Sequence, residues 1–211
     1  MMFDSTPGGI APVGRRRLRP AVGQSHHVWH FIHHRPRPGR RLVERVIERL
    51  APQVDTLVVN ANRNLDAYAG LGYPVVADRI EGFAGPLAGI HAGLTACATP
   101  LLATAPCDAP FLPADLVARL RAALASQPSR IAVARTVDGL QPTFALMRRD
   151  VLPDLAAFLA GGGRRIQDWC HSLPLAIVDF ADAAAFANLN SPAELASSAH
   201  TPTTPNRSAT S

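Results

Sequence analysis

Four short stretches of this chain hold residue types suited to handling a phosphorylated ligand. In APCDAPFLP, residues 105–113, a single carboxylate, Asp108, follows an apolar run that begins at Pro100. A charge at the end of a buried strand is costly unless a cation or a hydrogen-bond network receives it. A carboxylate there is a good ligand for magnesium, a hard anion for a hard cation, with phosphate oxygens completing the octahedron. The plainer alternative is a turn or N-cap Asp ahead of the next helix. In VNANR, residues 59–63, Asn60 and Asn62 each offer a donor and an acceptor, which suits the edge of a purine. An Asx turn closing a strand explains them equally simply. Asp78 ends PVVAD, and GPLAG, residues 85–89, sets Gly85 and Pro86 at a helix start. Backbone N–H groups can approach a ligand closely there, or the pair can be just a turn.

The elements that would carry these residues alternate. RLVERVIERL has apolar residues at 42, 43, 46, 47 and 50, one face of a helix. Short apolar runs at 54–60, 74–78, 100–106, 131–136, 143–147 and 175–180 read as strands. Helices are expected over 85–97 and 113–125, and over two stretches on either side of the Gly161–Gly163 break. A last helix opens with Ser191 as N-cap, Pro192 in the first turn and Glu194 closing a capping box. Such alternation predicts an α/β fold: a three-layer, mostly parallel, Rossmann-like sheet with helices on both faces. Ligands in such sheets bind beyond the carboxyl ends of the strands. That rule puts Asn60, Asn62, Asp78 and Asp108 on one rim.

Composition narrows the class. The 211 residues suffice for one mid-sized core, and no run of 18 apolar residues exists, which argues against a spanning helix. Cys97, Cys107 and Cys170 are odd in number and lack C-x-x-C spacing, against a disulfide frame or thiolate zinc site. With no secretory pattern at the N-terminus, a reduced, cytoplasmic setting is expected. Charge is uneven. Residues 1–41 hold eight Arg against Asp4, while the remainder holds 13 Arg against 15 acids. The first 40 residues also hold five of the eight His and no sustained helical period. They read as an irregular basic arm in which VWHFI, 28–32, could form a short strand. Residues 41–196 are the expected domain, and 197–211 a disordered polar tail. The chain has no Lys, which excludes any mechanism that needs one.

VVNANR, YPVVAD, GPLAGIHAGL and PCDAPFLP, in this order and at these separations, resemble the molybdenum cofactor guanylyltransferases, nucleotidyltransferases of the nucleotide-diphospho-sugar type. QPTFAL (141–146) and FANLNSPAEL (186–195) continue the likeness. The resemblance implies transfer of GMP from GTP to molybdenum-molybdopterin, giving the guanine dinucleotide cofactor and pyrophosphate, with Mg2+. It implies that Asn60 and Asp78 contact the guanine nucleotide, with Gly85 and Pro86 beside it. It gives Asp108 the metal, and sets Asn188 and Asn190 near the pterin phosphate or the metal. Molybdoenzymes or their chaperones are the implied partners of a monomer, with no membrane role.

One family element is missing. A first strand ending in L-A-G-G, a glycine-rich loop with Arg and an Asp-Lys pair should precede residue 41, and Gly8-Gly9 is only an echo of it. Loss of that strand would leave its neighbours unpaired, and loss of the loop predicts an impaired enzyme. A shifted reading frame over residues 1–40 would account for the abrupt change at 41. Competing expectations remain open. His26, His27, His30, His33 and His34 could hold a transition metal if helical. The basic arm, with Trp29 and Phe31, could bind nucleic acid, although a solvated arm is the better reading. The same fold could also transfer a cytidylyl or sugar-nucleotide group, or bind a nucleotide without catalysis.

Overall fold

The structure, a computed structural model, describes residues 27–31, 40–80 and 85–189. Asn190, the helix expected from Ser191, the tail at 197–211 and most of the basic arm lie outside the described residues.

Seven strands form one sheet in the order β3-β2-β1-β4-β6-β5-β7. They are β1 (His27–Phe31), β2 (Thr56–Asn60), β3 (Val75–Val76), β4 (Leu101–Pro106), β5 (Ile131–Thr136), β6 (Gly139–Arg148) and β7 (Leu175–Asp179). Only β6 runs against its neighbours, so the sheet is mostly parallel, as expected. Within the basic arm, residues 27–31 form a strand, one residue ahead of the short strand expected at 28–32, paired in parallel with β2 on one side and β4 on the other. The sheet therefore reaches back before the expected boundary at 41, and the edges of β2 and β4 are not left open. His27 and His30 lie in this strand, so the helical spacing that would have gathered histidines around a metal does not exist there.

Among the described residues, six helices cover the sheet: α1 (Arg40–Leu50), α2 (Leu65–Ala69), α3 (Pro86–Ala96), α4 (Leu116–Ser126), α5 (Leu152–Ala160) and α6 (Ile166–His171). Strand side chains alternate between faces, and this splits the core in two. Leu57, Val59, Ala103, Ala105, Phe144 and Leu146 face Val43, Val46 and Leu50 of α1 and Leu116, Leu120 and Leu124 of α4. Val58, Leu102, Ile131, Val133 and Met147 face Leu87, Ile90 and Leu94 of α3, Leu155 and Leu159 of α5, and Trp169 of α6. The amphipathic face read at 42–50 is the one that is buried. Helix α3 is buried at seven of its 11 residues, which its small and aliphatic composition permits.

Local chemistry fixes the element ends. Pro86 and Pro153 sit in the first turns of α3 and α5, where a missing N–H is no loss. Helix α5 ends at the glycine break, where Gly162 takes a left-handed φ of 87° that only glycine adopts without cost. Two elements exceed the sequence reading. Strand β6 spans ten residues because it pairs along a tight hairpin with β5, and the short α2, with no buried residue, has no apolar stripe to announce it.

Phe144 is 1% exposed and meets Phe186 edge-on at 4.8 Å between ring centroids. Its replacement, Phe144→Ala, should cost about 3–5 kcal/mol of stability in urea unfolding. A loss below about 1 kcal/mol would show that this face of the core repacks freely.

Candidate active site

The parallel register sets the strand ends level. Val76 of β3 pairs with Asn60 of β2, Asn60 with Phe31 of β1, and Phe31 with Pro106 of β4. Asp78 lies two residues beyond the end of β3, and Asp108 two beyond the end of β4. Three strand spacings, about 14 Å, separate the ends of β3 and β4 along the rim. The expected gathering at one rim is therefore present in the backbone, with β1 running between the two acids.

At one end of the rim, three side chains form a closed polar cluster. Asn60 is 3% exposed, and its Nδ2 donates to the carbonyl of Val76 at 3.0 Å and to Asp78 Oδ1 at 3.0 Å. Asn62 Nδ2 donates to Asp78 Oδ2 at 2.7 Å, and Asn62 Oδ1 accepts from the Asp78 backbone N–H at 2.8 Å. Both carboxylate oxygens are thus held by neutral amides, which orient the group without cancelling its charge. The link from Asn62 to Asp78, 16 residues apart, is legible only once β2 and β3 are neighbours.

At the other end, half-buried Asp108 follows buried Cys107 in the turn after β4. Its backbone carbonyl accepts from the N–H of Leu189 at 2.7 Å, which brings exposed Asn188 to the same corner. Among the described residues, no three His, Cys, Asp or Glu side chains cluster to hold a metal. A cation here would take one carboxylate from the protein and most of its coordination from a ligand, the pattern of magnesium bound with a triphosphate.

Helix α3, which packs against β1, β2 and β4, follows Asp78 in the chain. Gly85 precedes it with a φ of 175°, extended backbone open to any residue, and a Cβ there would meet nothing within 4 Å among the described residues. The next turn carries His91, whose Nδ1 is buried without a partner among the described residues. Burial first, then the nearby charge of Arg79, hold its imidazole below the ordinary value of 6.5.

A groove of about 820 Å³ lies beside the rim, lined by Arg49, Phe111, Arg119, Phe180 and Leu189 among others. It contains none of Asn60, Asp78 or Asp108 and meets the corner through Ala187 and Leu189. The cysteines are poor nucleophiles: all three are buried thiols, and burial pushes the Cys170 thiol up to about 12.

Fold and rim together place the chain among the α/β nucleotidyltransferases. Residues 34–173 match the MobA-like NTP transferase domain. A molybdenum cofactor guanylyltransferase of Cupriavidus taiwanensis is 50% identical over 165 residues, which cover 76% of this chain and 83% of that protein. The chain belongs to the MobA-like NTP transferase family. The fold is also that of molybdopterin-guanine dinucleotide biosynthesis protein A from Archaeoglobus fulgidus, at a TM-score of 0.63, 19% identity and coverage of 81% and 95% of the two chains. A Mycobacterium tuberculosis H37Rv protein in complex with manganese aligns with a TM-score of 0.59 and 19% identity, over 77% of this chain and 91% of that one.

The His91 shift has a consequence for stability. A group whose pKa is lowered by folding binds its proton more readily in the unfolded chain. Its contribution is complete above 6.5 and is lost as pH falls below that value. Urea unfolding at pH 7 and pH 5 should therefore show a smaller acid loss in His91→Leu than in the natural chain. Equal losses would mean that this imidazole charges freely in the fold.

Proposed function

We propose that this chain transfers GMP from GTP to molybdenum-molybdopterin, forming the guanine dinucleotide cofactor and releasing pyrophosphate. The observation that carries the reading is the pair of carboxylates levelled at one rim by the sheet register, in a chain half identical to a molybdenum cofactor guanylyltransferase over three-quarters of its length. The impairment raised by the missing phosphate loop has no support among these relatives.

The nucleoside end of GTP lies against Asn60 and Asp78, and the triphosphate runs over the Gly85–Pro86 helix start toward Asp108. The open space at Gly85 lets the ligand approach the backbone N–H groups at the positive end of the helix. Asp108 holds Mg2+, which neutralises phosphate charge when bound. Manganese in a relative of the same fold agrees with a hard, oxygen-loving divalent ion at such a site. Asn188 lies on the side where the pterin phosphate arrives.

The chemistry is an in-line displacement. An oxygen of the pterin phosphate, already ionised at neutral pH, forms a bond to the α-phosphorus as the bond to the bridging oxygen breaks. Pyrophosphate leaves with that electron pair, so no general base and no covalent enzyme intermediate are required. The protein's work is to position two anions and to offset the charge that builds between them.

Purified chain mixed with Mg-GTP and molybdenum-molybdopterin should release pyrophosphate, and Asp108→Ala should slow this by at least about 10²-fold without loss of fold. Equal turnover with CTP would move the chain to a cytidylyl transferase. Full activity in the variant would remove Asp108 from the reaction.

A further inference from the structure

Asn62 has a role that neither the family assignment nor the reading above gives it. It is exposed, so packing does not demand it. Yet its side chain spends both polar atoms on one residue: Nδ2 reaches Asp78 Oδ2 at 2.7 Å, and Oδ1 receives the Asp78 N–H at 2.8 Å. The second carboxylate oxygen is taken by Asn60 at 3.0 Å. We infer that Asn62 is a positioning residue that locks the Asp78 carboxylate in one plane, so that it can receive a pair of donor groups from the nucleoside.

The argument is one of geometry and charge. A half-buried carboxylate without such partners rotates about its side-chain bonds, and that freedom must be given up when it receives a ligand. An amide clamp removes the freedom in advance. An arginine would fix the group too, but would neutralise it and occupy its acceptor sites. Neutral amides on the inner sides of both oxygens leave the charge and the outer lone pairs available. Two parts of GTP present paired donors: the N1–H and 2-amino group of guanine, and the ribose hydroxyls. The clamp serves either, because the shared chemistry is two donors meeting one oriented carboxylate.

This inference rests on the reading that GTP binds along the rim, and the test separates the two. Binding of Mg-GTP, Mg-ITP (no 2-amino group) and Mg-2′-deoxy-GTP is measured by calorimetry on the natural chain, Asn62→Ala and Asn62→Ser. The serine variant keeps a neutral polar side chain in the loop and adds no charge, which guards against a misfolded loop. Both variants should bind GTP about tenfold more weakly, and the loss should shrink for the analogue that lacks one of the donors Asp78 receives. An equal loss for all three nucleotides, or no loss in either variant, overturns the role of Asn62. Failure of the natural chain to bind GTP at all overturns the nucleotide reading, and this inference with it.

Discussion

The parallel pairing of β1 with both β2 and β4 is the constraint on which the site depends. Hydrogen-bonded register sets Asn60, Phe31 and Pro106 level, and each strand delivers its following residues to the same edge of the sheet. Without a strand in that gap, the turn carrying Asp108 and the cluster around Asp78 would belong to separate edges. The two cores act on the same register. Each locks alternate residues of β2, β4, β5 and β6 against helices, and a slip of one residue would exchange the faces and expose both sets.

The two ends of the rim are built differently, in keeping with the tasks proposed for them. The Asp78 end is a closed network in which neutral amides fix a charged acceptor, suited to choosing a ligand by its donors. The Asp108 end offers a half-buried carboxylate with a partner backbone from 189 beside it, suited to a cation that brings its own anionic ligands. The start of α3 follows Asp78 in the chain, with free space at Gly85 among the described residues. An enzyme of this kind needs little covalent chemistry from its side chains, and the buried cysteines agree with that economy.

Much of this arrangement was legible in the sequence, because the signals were local. Apolar runs of strand length, a helical stripe at 42–50 and prolines in first turns each follow from a few neighbouring residues. Asp108, Asn60 and Asp78 could be placed on one rim because a parallel sheet brings its strand ends together. What escaped was non-local or compositionally disguised. Strand β1, in a segment rich in His, Arg and Pro, was legible as a short strand at 28–32, but its place between β2 and β4 was not. The Asn62–Asp78 clamp joins residues that face each other solely because β3 adds to the edge of β2. The reach of β6 and the short α2 likewise answer to hairpin pairing and loop closure rather than to an apolar period.

The central claim is that one metal–nucleotide complex spans the rim from Asp78 to Asp108. The most direct measurement is paramagnetic broadening of backbone amide resonances by Mn2+ bound with GTP, compared with the Mg2+ complex. The account predicts that the amides around 107–109 and 188–189 broaden first. Those at 60–62 and 78 should shift on GTP binding and broaden less, since about 14 Å separates the ends of β3 and β4. Broadening centred on Arg49, Arg119 and Phe180, in the neighbouring groove, with the rim amides unaffected, would contradict it.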